Sequence, residues 1–455
     1  MSSSTAADES TTYWCDVVVV DGSAVERVAI TVADGRIRSV TPGADRAAGS
    51  THLAGLTVAG FANAHSHAFH RALRGRTQGD SGSFWTWRDV MYRAAERLDP
   101  DRYFRLARAT FGEMALAGVA TVGEFHYVHH LPDGAPYANP NAMGEALLAA
   151  ADEAGLRITL LDTLYLHGGF ATTRTAYSAP TGVQVRYTDG SAERWAERVD
   201  LMQAGPTHRI GAAIHSVRAV DPASMSVVAT WADDRSAPVH AHVSEQHTEN
   251  EQCLAVHGST PTTVFADAGL AGDRFTAVHA THLSDHDIEQ LGLDGFVCVC
   301  PTTERDLGDG IGPTRALVAA GARLCLGTDS HAMIDLLEEA RAVELDERLG
   351  SLQRGAHRAT SLLEMATQNG HSSLGWHDAG TIAVGNHADL TTITLDSVRT
   401  AGAPTHQAVE SAVFAATASD VTNVIIGGNL VVADGAHRRF DVAAELQRSI
   451  TDLFA

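Results

Sequence analysis

Short apolar segments alternate with helical stretches along the middle of the chain. From about residue 58, eight segments of strand length follow one another, most of them separated by residues with helical periodicity. Eight strands with intervening helices predict an α/β fold of the (β/α)8 barrel type, similar to a TIM barrel. The predicted strands are Thr57–Asn63, Val119–Phe125, Arg157–Leu164, Arg209–His215, Pro238–Val243, Phe275–His279, Gly295–Cys300 and Ala322–Gly327.

Periodicity and capping residues mark the predicted helices. The segment Asp101–Leu116 places apolar residues near one helical face. Asp221 and Pro222 have the order expected of an N-cap and a first helical residue. Two further helices are predicted after the last barrel strand, over Asp335–Arg348 and His357–Asn369.

Both ends of the chain are rich in strand signals. Near the start, Val17–Val20 and Val28–Ile37 predict short strands, with a turn at Ala33–Gly35. Near the end, Gly380–Ile393 and Val421–Ala433 predict short strands, with a turn at Gly427 and Gly428. We expect them to form one small β-sheet domain beside the barrel. The predicted division is 1–57 and 378–455 for the two parts of the β domain and 58–377 for the barrel.

Composition and charge narrow the classes of function. The chain has 455 residues, of which 44% are hydrophobic, so it can bury a large core and is not a disordered or collagen-like protein. Lys and Arg number 33 and Asp and Glu number 55, and the net charge of −22 repels nucleic acids and anionic membranes. An anionic substrate would therefore need a local patch of arginine.

Targeting and redox signals favour a cytoplasmic protein. No apolar run approaches the roughly 18 residues of a membrane helix, and the N-terminal segment lacks the pattern of a secretory signal. The five cysteines include no CxxC pair, which favours a reduced compartment. We expect neither a nucleic acid nor a membrane partner.

Side chains that can bind metal follow the ends of four predicted barrel strands. These residues are His65 and His67, then His242 and Glu245, then His279 and His282, and finally Asp329. Barrel enzymes carry their catalytic residues at the carboxyl ends of the strands. Single histidines are commonly core or surface residues, but four strand ends of this kind are hard to explain in that way. Three imidazoles and a carboxylate with one open position predict a catalytic site of the zinc type.

Longer motifs resemble the amidohydrolase superfamily over nearly the whole chain. Within that superfamily, they resemble the family of formimidoylglutamate deiminases. The segment Gly380–Leu390 is similar to the superfamily's return to the β domain. The motifs that resemble the narrower family are Asn63–Phe69, Ser83–Arg88, Glu124–His130 and Cys300–Gly310.

The resemblance implies a role for each candidate residue. It implies one zinc ion per chain, proton transfer by Glu245 and His279, and substrate binding by a further group of residues. The implied zinc ligands are His65, His67, His242 and Asp329, and the implied substrate-binding residues are Arg88, Tyr127, His215 and Arg218. His70 stands where the family usually has Gln, so a substrate contact at that position would differ here.

The same resemblance implies a reaction and an assembly. The expected reaction is zinc-dependent hydrolysis of N-formimidoyl-L-glutamate to N-formyl-L-glutamate and ammonia, in histidine degradation. The substrate is a small dicarboxylate, and a homodimer is the expected assembly.

The chemistry of an amidine agrees with these residue types. Zinc lowers the pKa of a water molecule that it binds to roughly 7, and Asp329 could both touch the metal and accept the proton of the attacking water. Glu245 is placed to protonate the leaving nitrogen, and His279 could stabilise the tetrahedral intermediate. Arginine forks match carboxylates, which suits Arg88 and Arg218 to a substrate with two of them.

Several alternatives remain open from the sequence. The enzyme could be another deaminase of the superfamily that acts on a nucleobase or a related ring, and iron or manganese could replace zinc. Glu245 could serve only to orient His242. A non-catalytic assembly protein is less favoured, because the complete ligand set is present. For the same reason, a second metal site at His126, His129 and His130 is less favoured.

Overall fold

The structure, a computed structural model, describes residues 10–78, 84–171 and 177–455. Ser83 of the predicted motif Ser83–Arg88 and the first nine residues of the predicted β domain lie outside these ranges. The described strands are β1 Thr11–Val20, β2 Ser23–Ala33, β3 Arg36–Thr41, β4 Thr51–Ala59, β5 Phe61–Ser66, β6 Val119–His126, β7 Arg157–Leu164, β8 Gly169–Phe170, β9 Tyr177–Ser178, β10 His208–Ile214, β11 Val239–Val243, β12 Phe275–His279, β13 Phe296–Val299, β14 Arg323–Leu326, β15 Leu390–Ile393, β16 Val421–Ile426, β17 Asn429–Ala433 and β18 Ala436–His437.

Helices connect most of the strands of the barrel. The described helices are α1 Phe84–Glu96, α2 Pro100–Leu116, α3 Ala142–Ala154, α4 Ala192–Val199, α5 Pro222–Arg235, α6 His247–His257, α7 Pro261–Asp267, α8 Asp285–Leu291, α9 Pro301–Leu307, α10 Thr314–Ala320, α11 Leu336–Ser351, α12 Ala359–Glu364, α13 Gly370–Ser373, α14 Ala408–Ala415 and α15 Val442–Phe454. Within the described residues, no helix has the length and apolar character of a membrane span.

Eight parallel strands form the barrel that the sequence predicts. Their order is β5-β6-β7-β10-β11-β12-β13-β14, and every neighbouring pair is parallel. A backbone bridge between Ser66 and Asp329 joins the two edge strands. The backbone N–H groups of Thr328 and Asp329 donate to the His65 carbonyl at 3.1 and 3.0 Å. The barrel therefore closes at the residues that the sequence marks as candidate ligands.

The two chain ends form a second sheet, which also has eight strands. Its order is β18-β17-β16-β15-β4-β1-β2-β3, so four strands from each end of the chain form two blocks that meet where β4 pairs with β15. Ile30, Leu53, Leu390 and Ile425 are fully buried in its core. This arrangement confirms a β-sheet domain built from both ends of the chain, while the exact domain limits at 57/58 and 377/378 stay a prediction.

An aspartate caps the first turn of both α2 and α5. Asp99 accepts a hydrogen bond from the Arg102 N–H at 2.8 Å, and Pro100 occupies the first turn of α2. Asp221 accepts from the Ser224 N–H at 3.1 Å at the start of α5. A carboxylate at this position satisfies an N–H group that would otherwise lack a partner. α5 therefore begins at the predicted cap, whereas the cap of α2 at Asp99 was not predicted and that helix begins one residue before the predicted start at Asp101.

Two predicted strands are wrong in their bounds. The predicted strand Thr57–Asn63 divides at Gly60, whose N–H donates to the Asp389 carbonyl at 2.9 Å. A Cβ at Gly60 would lie 2.6 Å from the Ala120 Cβ, so only glycine fits this crossing between the sheets. The predicted strand Gly380–Ile393 is extended only in β15, because Gly380 and Gly385 have φ angles of +81° and +93°.

Candidate active site

Three histidines and one aspartate converge at the carboxyl ends of the barrel strands. His65 belongs to β5, His67 directly follows it, His242 belongs to β11, and Asp329 lies just beyond β14. One candidate ligand atom from each residue lies within 4.8 Å of all the others, and all four residues are buried. The structure therefore brings together the four residues that the sequence predicts as metal ligands.

Hydrogen bonds to backbone carbonyls fix the orientation of two of the rings. His67 Nδ1 lies 2.9 Å from the carbonyl oxygen of Phe125, and His242 Nδ1 lies 2.8 Å from that of His215. A carbonyl oxygen can only accept, so each Nδ1 carries the hydrogen and each Nε2 keeps its lone pair. This arrangement is typical of histidines that bind a metal through Nε2.

The acceptor atoms of the four residues face one another. His65 Nε2 lies 3.3 Å from His242 Nε2 and 3.2 Å from Asp329 Oδ1, and His67 Nε2 lies 3.4 Å from the same oxygen. Burial lowers the pKa of His65 to about 3 and that of His242 to about 4. Burial opposes ionisation of Asp329, but the hydrogen bond and charge of His65 hold its pKa well below the usual range. Neutral imidazoles and an ionised carboxylate are the donors that a divalent cation requires, so the residues fit a metal ion.

The backbone adopts unusual conformations at the strand ends around this centre. The non-glycine residues Ser244, His279, Ala280 and Asp329 have φ angles of 51°, 67°, 51° and 39°. Left-handed conformations of such residues cost free energy and concentrate at functional sites. The geometry of the strand ends therefore supports a functional site here.

Buried Glu124 supports the segment that carries His65 and His67, a role that the motif Glu124–His130 did not reveal. Ser66 Oγ donates to Glu124 Oε2 at 2.6 Å, and the Ala68 N–H donates to Glu124 Oε1 at 2.7 Å. Burial raises the pKa of Glu124 to about 8. Because Ser66 and Ala68 flank His67, this carboxyl group holds the turn that presents both rings.

The two residues predicted to transfer protons lie together beside Asp329. His279 Nε2 lies 3.9 Å from Glu245 Oε1 and 3.9 Å from Asp329 Oδ2. His279 Nδ1 lies 3.4 Å from Glu304 Oε1, a contact that the sequence analysis missed. Burial opposes protonation of His279, but the charge of Glu245 and the hydrogen bond to Glu304 raise its pKa well above the usual range. The His215 carbonyl, rather than Glu245, binds the Nδ1 of His242, which weakens the alternative that Glu245 only orients that ring.

A cavity of about 340 Å³ opens above these residues. All five residues predicted to bind substrate line it, namely His70, Arg88, Tyr127, His215 and Arg218. His70 Nε2 lies 3.0 Å from Tyr127 Oη, so the residue that replaces the usual Gln is connected to another wall residue. Arg218 lies 3.8 Å from Glu245 and 3.6 Å from Glu249.

The wall of the cavity also contains residues that the sequence analysis did not identify. They include Tyr92, Tyr165, Gln184 and Tyr187. No motif marks them, because they come from α1, the end of β7 and a short turn that are distant in sequence. Only their positions in the folded barrel indicate a role.

The structure contains a second group of potential metal ligands, His126, His129 and Asp162. One candidate ligand atom from each of them lies within 4.8 Å of the other two. Arg198 donates to both oxygens of Asp162 at 2.8 and 3.0 Å, and Trp195 Nε1 donates at 2.9 Å. The positive charge of a fixed guanidinium beside the carboxylate disfavours the binding of a metal cation there. His130 lies 3.0 Å from Asp189 instead of joining this group. The geometry thus agrees with the preference for a single metal site.

Comparisons with known proteins agree with the geometry. A family model described as the amidohydrolase family matches residues 56–431. Formimidoylglutamate deiminase of Pseudomonas aeruginosa is 35% identical over 89% of this chain and 90% of its own length. The 5-methylthioadenosine/S-adenosylhomocysteine deaminase of Natronomonas pharaonis is 28% identical over 94% of each chain. The crystal structure of an amidohydrolase from Brucella melitensis superposes with a TM-score of 0.88 at 30% identity, covering 98% of this chain and all of its own.

Proposed function

Since the chain belongs to the amidohydrolase family and is a deaminase of that superfamily, we propose that it hydrolyses N-formimidoyl-L-glutamate to N-formyl-L-glutamate and ammonia. The observation that carries the proposal is the pair of arginines, Arg88 and Arg218, on the wall of the cavity above the buried donor set. A chain with a net charge of −22 repels a dianion at long range, so cations at this position favour a substrate with carboxylates.

We propose that His65, His67, His242 and Asp329 bind one zinc ion per chain. Three nitrogens and one carboxylate oxygen are a donor set that zinc prefers, and they leave a position free. When bound, zinc supplies the Lewis-acid chemistry that makes water nucleophilic at neutral pH.

The residues around the donor set would move the protons of the reaction. Asp329 accepts a proton from the attacking water, and Glu245 delivers protons to the leaving nitrogen. A carbon–oxygen bond forms, the carbon–nitrogen bond to ammonia breaks, and both protons of the water end on the leaving nitrogen. His279 would donate a hydrogen bond to the oxygen that becomes the formyl carbonyl.

Ammonia release with the metal quantified in the same sample tests this proposal. We expect release from N-formimidoyl-L-glutamate, and little from guanine, cytosine or S-adenosylhomocysteine. A higher kcat/KM on one of the ring substrates would instead support the alternative, a deaminase for a nucleobase or related ring. The 28% identity to a deaminase named for adenosine-type compounds makes that comparison necessary.

Removal of the metal tests the zinc site separately. We expect a chelator to abolish turnover and one equivalent of zinc per chain to restore it. Two metal ions per active chain, or full activity without metal, would contradict the site. Better restoration by iron or manganese would change only the identity of the ion.

We further propose that the enzyme acts in histidine degradation in the cytoplasm, as a homodimer. A sedimentation experiment that gives twice the mass of the chain would support the dimer. A monomeric mass with full activity would contradict it.

A further inference from the structure

Gln184 occupies a fixed position behind the cavity wall. It lies in the short turn Gly182–Arg186 and is 7% exposed. Its Oε1 accepts a hydrogen bond from the Thr181 N–H at 3.1 Å. Its Nε2 donates to Tyr165 Oη at 2.9 Å and to Tyr92 Oη at 3.2 Å. One side-chain amide therefore joins a backbone turn to two hydroxyl groups of the cavity.

The Thr181 N–H determines which way the Gln184 amide faces. A backbone N–H can only donate, so the amide oxygen must face it and the NH2 group must face the tyrosines. Each hydrogen of that NH2 group is given to one hydroxyl oxygen. Both tyrosine oxygens therefore act as acceptors toward Gln184, and each hydroxyl proton has to be donated to another group.

Neither hydroxyl proton has an acceptor among the residues that the structure describes. Tyr92 Oη and Tyr165 Oη make no described hydrogen bond other than those from Gln184. Tyr187 lines the same cavity, is 2% exposed, and its Oη has no hydrogen-bond partner in the described part of the chain. A buried hydroxyl without a partner costs free energy unless a ligand provides one. Tyr92 and Tyr165 thus provide two donors on one cavity wall that lack an acceptor among the described residues, while Tyr187 Oη is too deeply buried for a ligand to reach.

Cationic groups lie next to these hydroxyls. The Arg88 Cζ lies 5.4 Å from the centre of the Tyr92 ring. Burial raises the pKa of Tyr165 above its usual range, while the charges of Arg218 and Arg88 act in the opposite direction. Both arginines are therefore close enough to Tyr165 to influence it. Hydroxyl donors beside guanidinium groups provide the surroundings of an anion.

We propose that Tyr92 and Tyr165 donate hydrogen bonds to one carboxylate of the substrate, and that Gln184 is the positioning residue that directs both of them. This inference rests on the proposed function, because it assigns wall residues to a glutamyl substrate. It adds neutral donors to the arginines, and it explains how the cavity would select a carboxylate over a neutral ring.

The affinity of the reaction product tests the subsite without turnover. Zinc-loaded enzyme is titrated with N-formyl-L-glutamate, and Kd is measured by calorimetry. We expect Tyr165→Phe and Tyr92→Phe each to raise Kd about 10-fold, because each loses a hydrogen bond to a charged group. Tyr137→Phe is the matched control, since that hydroxyl contacts Arg186 at 3.5 Å and does not line the cavity. Unchanged Kd in both cavity variants would overturn the proposal.

Two substitutions at Gln184 separate positioning from packing. Gln184→Glu keeps the shape and the acceptor for the Thr181 N–H, but it turns both tyrosine hydroxyls away from the ligand. Gln184→Met removes the hydrogen bonds without adding charge. We expect both to raise KM about 10-fold or more while kcat changes little. A fall in kcat with unchanged KM, or an equal loss of thermal stability and activity, would instead indicate a purely structural role.

Truncated ligands show whether a carboxylate is the group that is bound. N-formyl-L-glutamine lacks the side-chain charge, and N-formyl-4-aminobutyrate lacks the α-carboxylate. The effect of Tyr165→Phe should disappear with one of them and persist with the other; equal effects on all ligands would overturn the proposal. If N-formyl-L-glutamate binds with this pattern but N-formimidoyl-L-glutamate is not hydrolysed, the proposed function fails and the carboxylate subsite stands.

Discussion

The two oxygens of Asp329 face different neighbours. Oδ1 lies 3.2 Å from His65 Nε2 and 3.4 Å from His67 Nε2, whereas Oδ2 lies 3.9 Å from His279 Nε2. One oxygen is therefore placed to bind the metal while the other faces the proton-transfer residues. This division makes the two roles of Asp329 separable by experiment.

We expect Asp329→Asn to lower kcat about 100-fold or more even where metal is still bound, because an amide cannot accept the proton of water. Rates and metal content should be measured in the same sample. A variant that keeps one metal ion per chain and near wild-type kcat would refute the role as a base.

The contacts of Glu245 place it among the residues that would transfer protons. It lies 3.9 Å from His279 and 3.8 Å from Arg218 and lines the cavity. Glu245→Gln should lower kcat roughly 10²- to 10⁴-fold, because protonation of the leaving nitrogen is impaired. An effect on metal content alone would show that Glu245 supports the ligands instead.

Arg218 faces both the cavity and two carboxylates of the chain. Its substitution removes a substrate contact and a partner of Glu245 and Glu249, so two variants are needed. Arg218→Met should raise KM about 10- to 150-fold, and Arg218→Lys should recover only part of this loss, because lysine keeps the charge but not the bidentate fork. Thermal unfolding and zinc content should be measured for both. If Arg218→Lys restores KM fully, charge alone would account for binding.

At the scale of elements, Gly327 allows the barrel to close at the site. It directly follows β14, and a Cβ there would lie 2.7 Å from the His65 Cβ and 2.9 Å from Cys300 Sγ. The edge strands can therefore approach closely only because this position has no side chain. The same approach brings Asp329 to His65.

We expect Gly327→Ala to separate the edge strands, lower the affinity for metal and destabilise the fold by about 1–3 kcal/mol, the usual cost of overpacking. Gly350→Ala in α11 is the control, because the nearest atom to a Cβ there is Ile311 Cδ1 at 3.8 Å, an ordinary contact distance. Metal titration and urea unfolding of both variants decide the matter. Equal behaviour of the two variants would show that closure does not depend on Gly327.

The elements that the sequence predicts well are those governed by local pattern. β7 and β12 have the predicted bounds, since each combines apolar and β-branched residues and follows a helical stretch. The error at Thr57–Asn63 arose because β4 pairs with β15 and the chain changes sheets at Gly60. The local pattern of hydrophobic residues does not show that two consecutive strands belong to different sheets.

The sequence also predicted only part of the candidate site. The rule of strand ends identified His65, His242 and Asp329, because the barrel places every strand end at one face. Glu124 and Gln184 were missed, since their importance lies in contacts with Ser66 and Tyr165 that only the fold creates. Residues at the strand ends have strong chemical signatures, whereas the residues that position them and the tyrosines of the cavity wall do not.

At the scale of the whole molecule, a buried ion pair joins the two sheets. Arg157 begins β7 of the barrel, and Asp389 directly precedes β15 of the second sheet. Arg157 Nε and Nη2 donate to the two oxygens of Asp389 at 2.9 and 3.2 Å, and the Gly427 N–H donates at 2.7 Å. Arg157 is 4% exposed and Asp389 is 3% exposed, so water cannot replace either partner.

We expect Asp389→Asn to lower the free energy of unfolding by about 3–5 kcal/mol, because it leaves the Arg157 guanidinium buried without a countercharge. Asp378→Asn is the matched control: its partner Arg36 lies 2.8 Å away, but both side chains are 39% exposed, and such a pair contributes only about 0–1 kcal/mol. Urea unfolding at neutral pH measures both variants, with zinc content as a check on the barrel. Since the ion pair crosses between the sheets, Asp389→Asn should also loosen the second sheet, which is measurable as faster amide hydrogen exchange in β15 and β4. A variant that is as stable as Asp378→Asn would show that the junction depends on apolar packing rather than on this pair.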